Sequence, residues 1–215
     1  MSQQRGAAEV ALDEVDLVLV RHARPLLRSG QQASRWLIDP TALPEVAALG
    51  RGLLGVLPGL AERQGTAVVS SHEPKAVATA RELARVWGAS SLQASGLEEH
   101  HRGPLPIVDD LTWRATVSRL FSNPETLVFG DETAREAEQR FAAGVAGVLA
   151  GATGGGPTAI VSHGTVITLY LAAANGWDSV ELWQSLQLPE AFLVRSSDRR
   201  LAGRVAADGE LRLPG

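Results

Sequence analysis

Cysteine is absent from the 215 residues. Disulfide scaffolds, thiolate zinc sites, iron–sulfur clusters and cysteine nucleophiles are excluded with it. Lysine is almost absent: of 20 basic residues, Lys75 is the only lysine and the rest are Arg. No run approaches the ~18 apolar residues that a membrane helix needs. The opening MSQQRGAAEVALDEVD has neither the basic start nor the apolar stretch of a secretory signal. A cytoplasmic location and no membrane partner are the expectation. The sequence also lacks a basic block, and its net charge is −4. No nucleic-acid partner is expected, although a local basic pocket for an anion remains open. Against these absences stand 45% hydrophobic and 20% charged residues, enough to fill the core of one soluble domain.

The pattern along the chain predicts a flexible tail over 1–15 and a single α/β domain over 16–215. Short apolar, β-branched runs at 16–22, 66–71 and 158–164 predict strands buried on both faces, and 91–95 predicts a weaker one. Helical spacing marks 44–63, with Pro58 as a weak point, and 72–88, with Pro74 in the first turn and Gly88 at the end. A further helix starts at Thr133, where Thr133 and Glu136 form a capping box, and stops before the Gly-rich break 151–157. Another runs to about Ala174 with Asn175-Gly176 as its cap. The stretch 96–129 reads as an irregular or short-helical excursion. Alternation and turn signals from Phe192 to Leu213 predict antiparallel strands. The fold class expected is a three-layer α/β sandwich: a mostly parallel central sheet, helices on both faces, and antiparallel C-terminal strands.

In such sheets ligands bind beyond the carboxyl ends of the strands. There the sequence places Arg21-His22, then Ser71-His72-Glu73-Pro74-Lys75, then Glu98-Glu99, then His163-Gly164. Two cations, two imidazoles and a carboxylate on one rim make an anion pocket, and helices that start just after the strands add backbone N–H groups. Either Glu98 or Glu99 would be the proton donor. His72 reads as a helix-start residue, His100 and His101 as exposed, and Trp177 and Trp183 as core or oligomer contacts. The stretches 26–43, with Arg28, Arg35 and Trp36, and 100–128 are expected to line or cover the pocket and choose the leaving group; Arg28 and Arg35 read as solvated in preference to meeting a second acidic group. A metal hydrolase built on His22, His72 and His163 lacks a supporting ligand motif. Gly154-Gly155-Gly156 precede a strand and so do not form a phosphate loop.

These residues resemble the histidine phosphatase superfamily, its phosphoglycerate-mutase-like branch. LVLVRHARP (17–25) looks like the Arg-His-Gly signature. SSHEPKAVATARELA (70–84) looks like the Ser-Ser-x-x-x-Arg-Ala-x-x-Thr-Ala motif. GLEE (96–99), FGDETAREAEQRF (129–141) and AIVSHGTVI (159–167) resemble the remaining three motifs, in family order. The resemblance implies that His22 is the nucleophile that carries a phosphohistidine. It implies that Arg21, Lys75 and His163 hold the phosphoryl oxygens beside Gly164, and that Glu99 protonates the leaving alcohol and then activates water. Clustered cations would help to keep His22 neutral. No cofactor or metal is implied. The chain departs from the pattern at Ala23, where Gly is usual, and at Lys75, where Arg is usual; Lys lacks the bidentate fork. Arg24 would add a cation at the mouth. The expected activity is a metal-independent phosphomonoesterase acting on a small phosphorylated molecule. A mutase, or a weakly catalytic phosphate-binding module, is the alternative. A homo-oligomer is left open.

Overall fold

The apolar runs assemble as a seven-stranded sheet in the order β3-β2-β4-β1-β5-β6-β7. In the computed structural model the described residues are 10–60, 67–103, 109–153 and 156–213. The strands are β1 (Leu17–Arg21), β2 (Ala67–Ser70), β3 (Ser90–Gln93), β4 (Thr158–Ser162), β5 (Glu190–Arg195), β6 (Arg200–Ala206) and β7 (Leu211–Arg212). β3, β2, β4 and β1 run parallel, whereas β5, β6 and β7 pair antiparallel. The mostly parallel sheet and its antiparallel C-terminal strands are as the sequence predicts.

Alternation along the central strands divides the core in two. Val18 and Val20 of β1, with Ala159 and Val161 of β4, pack beneath α1 (Leu43–Val56) and α2 (Pro74–Trp87). Leu17, Leu19 and Ile160 face the other way, toward α4 (Ala134–Gly151), α5 (Gly164–Asn175) and α6 (Ser179–Ser185). Each central strand is covered on both faces, which is why it reads as an unbroken apolar run. Among the described residues no helix is long and apolar enough to cross a membrane.

Local chemistry sets the helix limits. Pro74 sits in the first turn of α2, and Gly88 closes it in the left-handed conformation at φ 65°. Thr133 and Glu136 form the predicted capping box of α4, and Gly176 ends α5 at φ 69°. α1 stops at Val56, and Pro58 opens a separate single turn at Pro58–Leu60; the rest of the predicted 44–63 helix lies outside the described residues. Val10 and Val15 are buried in the α1/α2 core, so the expected tail is shorter at its C-terminal end; residues 1–9 lie outside the described residues.

The stretch 96–129 is corrected. It contains a full helix, α3 (Asp110–Ser122), capped by Asp109, whose carboxylate accepts the Thr112 N–H. Only Val117 and Leu120 of α3 are buried, too thin a stripe to register as helical periodicity. The short α6, capped by Asp178, was not predicted either.

Candidate active site

The C-terminal ends of β1, β2 and β4 open on one rim, beside a cavity of about 410 Å³. Arg21 ends β1, and His22 follows it, held by the bond from its backbone N–H to the Ser162 carbonyl at 3.0 Å. The His22 ring places Nδ1 2.7 Å from the Ala23 carbonyl. A carbonyl can only accept, so Nδ1 carries the proton and Nε2 keeps its lone pair. Ala23 is itself fixed, since its N–H donates to Thr79 Oγ1 at 3.0 Å, and that hydroxyl donates to the Lys75 carbonyl at 2.8 Å. The first signature is thereby pinned to α2.

His163, wholly buried at the N-cap of α5, meets His22 edge to face with ring centroids 5.0 Å apart. Its Nε2 is 2.7 Å from Ser71 Oγ and 3.5 Å from Glu73 Oε1. Burial pushes both imidazoles well below the ordinary histidine value; His163 and Lys75 push His22 further, and Lys75 does the same to His163. Both shifts favour the neutral imidazole, the form in which a ring nitrogen keeps its lone pair.

The cations come from three elements. The Arg21 guanidinium donates to the Leu186 and Gln187 carbonyls at 2.9 and 3.3 Å and keeps a buried Nε without a partner. Burial lowers its pKa to about 10, so it stays charged. Lys75 is buried in α2, where its ammonium pairs with Glu73 and donates to the Ala33 carbonyl. Arg102 lines the cavity, donates to Glu99 Oε2 at 2.9 Å, lies over the Trp113 ring 4.5 Å from its centroid, and also has a buried, unpartnered Nε. Unpaired buried donors in a polar cavity are positions where an anion's oxygens gain most.

The two glutamates separate by direction. Glu98 turns its carboxylate back to the Gly96 N–H at 2.8 Å. Glu99 lies against Arg102 and the Thr165 N–H at the start of α5. Burial raises the Glu99 carboxyl, but Arg102, His163 and the His100 N–H outweigh it and hold it below the usual range. The acid loop is braced from α4: Arg140 donates to the carbonyls of Gly96, Glu98 and Glu99 and pairs with Glu132, which also accepts the His101 N–H.

Of the residues singled out in the sequence, Arg21, His22, Lys75, Glu99 and Gly164 line the cavity, and His163 stands behind His22. Arg24 is corrected: it is exposed, outside the lining, and drawn to Asp39 at 3.2 Å and Glu45 at 3.6 Å. His100 is corrected too. It is buried, with Nε2 2.8 Å from the Glu132 carbonyl and its ring edge against Phe129. Trp183 lines the cavity instead of serving only the core. His72 is exposed and turned to Gln93 and Ser95. The sequence places Glu73 on the rim and Arg102 and Trp113 within a stretch expected to line or cover the pocket, but singles out none of the three. The one available signal was Glu73 two residues before the single Lys.

Gly164 has a direct packing reason: a Cβ there would stand 3.0 Å from Arg21 Nε. Gly164→Ala is expected to displace that guanidinium and raise the inhibition constant of inorganic phosphate about tenfold, roughly 1.4 kcal/mol. Competitive inhibition assays check this.

A model of the histidine phosphatase superfamily, branch 1, matches residues 17–197. No curated protein matches the sequence. Among solved structures, mycobacterial glucosyl-3-phosphoglycerate phosphatase is 19% identical with a TM-score of 0.61, over 93% of this chain and 97% of that one. Phosphoserine phosphatase from Entamoeba histolytica is 16% identical with a TM-score of 0.63, over 87% and 95%. Bacillus stearothermophilus YhfR is 20% identical with a TM-score of 0.61, over 86% and 94%. At these identities the likeness is one of fold. The family match spans most of the chain and all five motif segments, and the chain belongs to the histidine phosphatase superfamily, branch 1.

Proposed function

We propose that this phosphatase hydrolyses a small phosphomonoester in two steps, through a phosphohistidine on Nε2 of His22. The observation that carries the reading is the His22 ring itself: Nδ1 is committed to the Ala23 carbonyl, and the ring lines a cavity shared with Arg21, Lys75, Arg102 and Glu99. In the first step the Nε2 lone pair attacks phosphorus, the bond to the leaving oxygen breaks, and Glu99 gives that oxygen its proton. The phosphoryl dianion beside the carboxylate raises its proton affinity, so binding brings the proton with it. In the second step Glu99 takes a proton from water, the water oxygen attacks phosphorus, and the P–N bond breaks. Charge on the equatorial oxygens is met by Arg21, Arg102 and Lys75, so positioning and electrostatics supply the catalysis. Splitting the transfer in two lowers each barrier.

The test is phosphate release from phosphomonoesters with a chelator present. Turnover that persists supports the reading. Loss with the chelator and recovery with a divalent cation indicates a metal hydrolase. Return of the phosphoryl group to a second hydroxyl indicates a mutase, and no turnover at all indicates a binding module.

The lowered Glu99 pKa gives a pH dependence with a definite sign. Dephosphorylation needs the carboxylate, so its rate is full above that pKa and is lost as pH falls through it. Arg102 is the largest influence holding the pKa down. Arg102→Gln is therefore expected to move the acid limb of phosphoenzyme decay to higher pH, as read in single-turnover chases. An unmoved limb would show that Arg102 does not set it.

A further inference from the structure

We propose that the alcohol released is uncharged and presents a ring face to the cavity. This rests on the phosphatase reading and adds the substrate class.

The first observation is charge. Among the described residues lining the cavity are three cations, Arg21, Lys75 and Arg102, and four carboxylates, Glu73, Glu98, Glu99 and Asp131. Among these side chains carboxylates outnumber cations by one, and Glu98 approaches Arg140 from outside the lining at 3.7 Å. Lys75 is paired with Glu73 and Arg102 with Glu99, whereas Arg21 donates only to backbone carbonyls and is the lining cation left for the phosphoryl group. Arg24, next to the lining residue Pro25, is held by Asp39. With Arg21 taken by the phosphoryl group, a carboxylate or second phosphate on the leaving group would find no unpaired cation among these lining residues. A cationic leaving group fares little better. Glu73, Glu98 and Glu99 each have a basic or N–H partner, and Asp131 is exposed to water, where its charge is screened.

The second observation is the wall. The chain has five Trp, and three of them, Trp36, Trp113 and Trp183, line this cavity. They come from three separate parts of the chain, and Pro25 and Leu188 also line the cavity. The Trp113 face is taken by Arg102. Trp36 and Trp183 are half-buried, and rigid indoles of this kind bind ring faces with little loss of entropy. At about 410 Å³ the cavity holds a ring beyond the phosphoryl group.

The chemistry shared by an aryl ring and a sugar ring is an uncharged ring face that can lie against an indole, and the test separates the two. Ethyl, benzyl and choline phosphates, glucose 6-phosphate and 3-phosphoglycerate all release a primary alcohol, so intrinsic reactivity is matched closely. We expect kcat/KM for benzyl phosphate or glucose 6-phosphate, whichever ring the site takes, to exceed that for ethyl phosphate at least tenfold. We expect 3-phosphoglycerate to fall at least tenfold below ethyl phosphate. Asp131→Asn should narrow the 3-phosphoglycerate gap, and Trp183→Ala should lower kcat/KM for the preferred ring more than for ethyl phosphate. If 3-phosphoglycerate matches ethyl phosphate, or phosphocholine leads the series, the uncharged class is overturned. If neither ring substrate exceeds ethyl phosphate, the ring is overturned. Failure of all five to release phosphate would instead remove the phosphatase reading on which this rests.

Discussion

His22→Ala is expected to reduce turnover by a factor on the order of 10⁴–10⁶, the range for loss of a covalent nucleophile whose partners act as a unit. Every contact around the ring serves its Nε2. Ala23 fixes the tautomer, Thr79 fixes Ala23, and His163 packs against the ring edge. Burial, His163 and Lys75 all shift the ring toward its unprotonated form, so no acid-side loss near neutrality is expected from His22 itself. Steady-state kinetics give the loss, and a thermal melt of the variant separates it from unfolding. Activity within tenfold of the parent would remove His22 from the nucleophile's role.

The second large effect is expected at Glu99. Glu99→Gln keeps shape and hydrogen bonding but neither gives nor takes a proton, so turnover should fall about 10²–10⁴-fold. The two steps divide the loss unequally. An aryl ester with a good leaving group needs little protonation, so phosphorylation survives while hydrolysis of the intermediate stalls. Rapid-mixing assays should therefore show a burst of phenol approaching one per site. Glu98→Gln should do far less, because the Glu98 carboxylate is spent on the Gly96 N–H and approaches Arg140 at 3.7 Å. A large loss at Glu98 with none at Glu99 would reverse the assignment.

The sheet was legible because its strands are buried on both faces, so that apolar runs end abruptly in charge, as in Leu-Val-Leu-Val before Arg21-His22. Helix ends were legible where side chains or glycine close them, at Thr133, Gly88 and Gly176. α3 was hidden because two buried residues make no periodic stripe. The site was legible as far as each residue sat at a strand end. What escaped depends on pairs that only folding creates: Glu73 accepts the N–H of Glu99, 26 residues away, and Arg102 reaches Thr165, 63 residues away. Arg24 failed for the converse reason. It neighbours the signature in sequence, yet Asp39 and Glu45 draw it off. A buried ion pair such as Glu73–Lys75 is weak evidence for added stability, and its proximity to His163 points to electrostatics within the site.

The central claim is a covalent bond between phosphorus and His22 Nε2. The direct measurement is to mix Glu99→Gln protein with an isotopically labelled phosphomonoester, quench in base, digest and map the label. The account predicts one label per chain, stable to base, labile to acid, and confined to the peptide that contains His22. Label on any other residue, or continued turnover with no covalent phosphate at any time point, would contradict it.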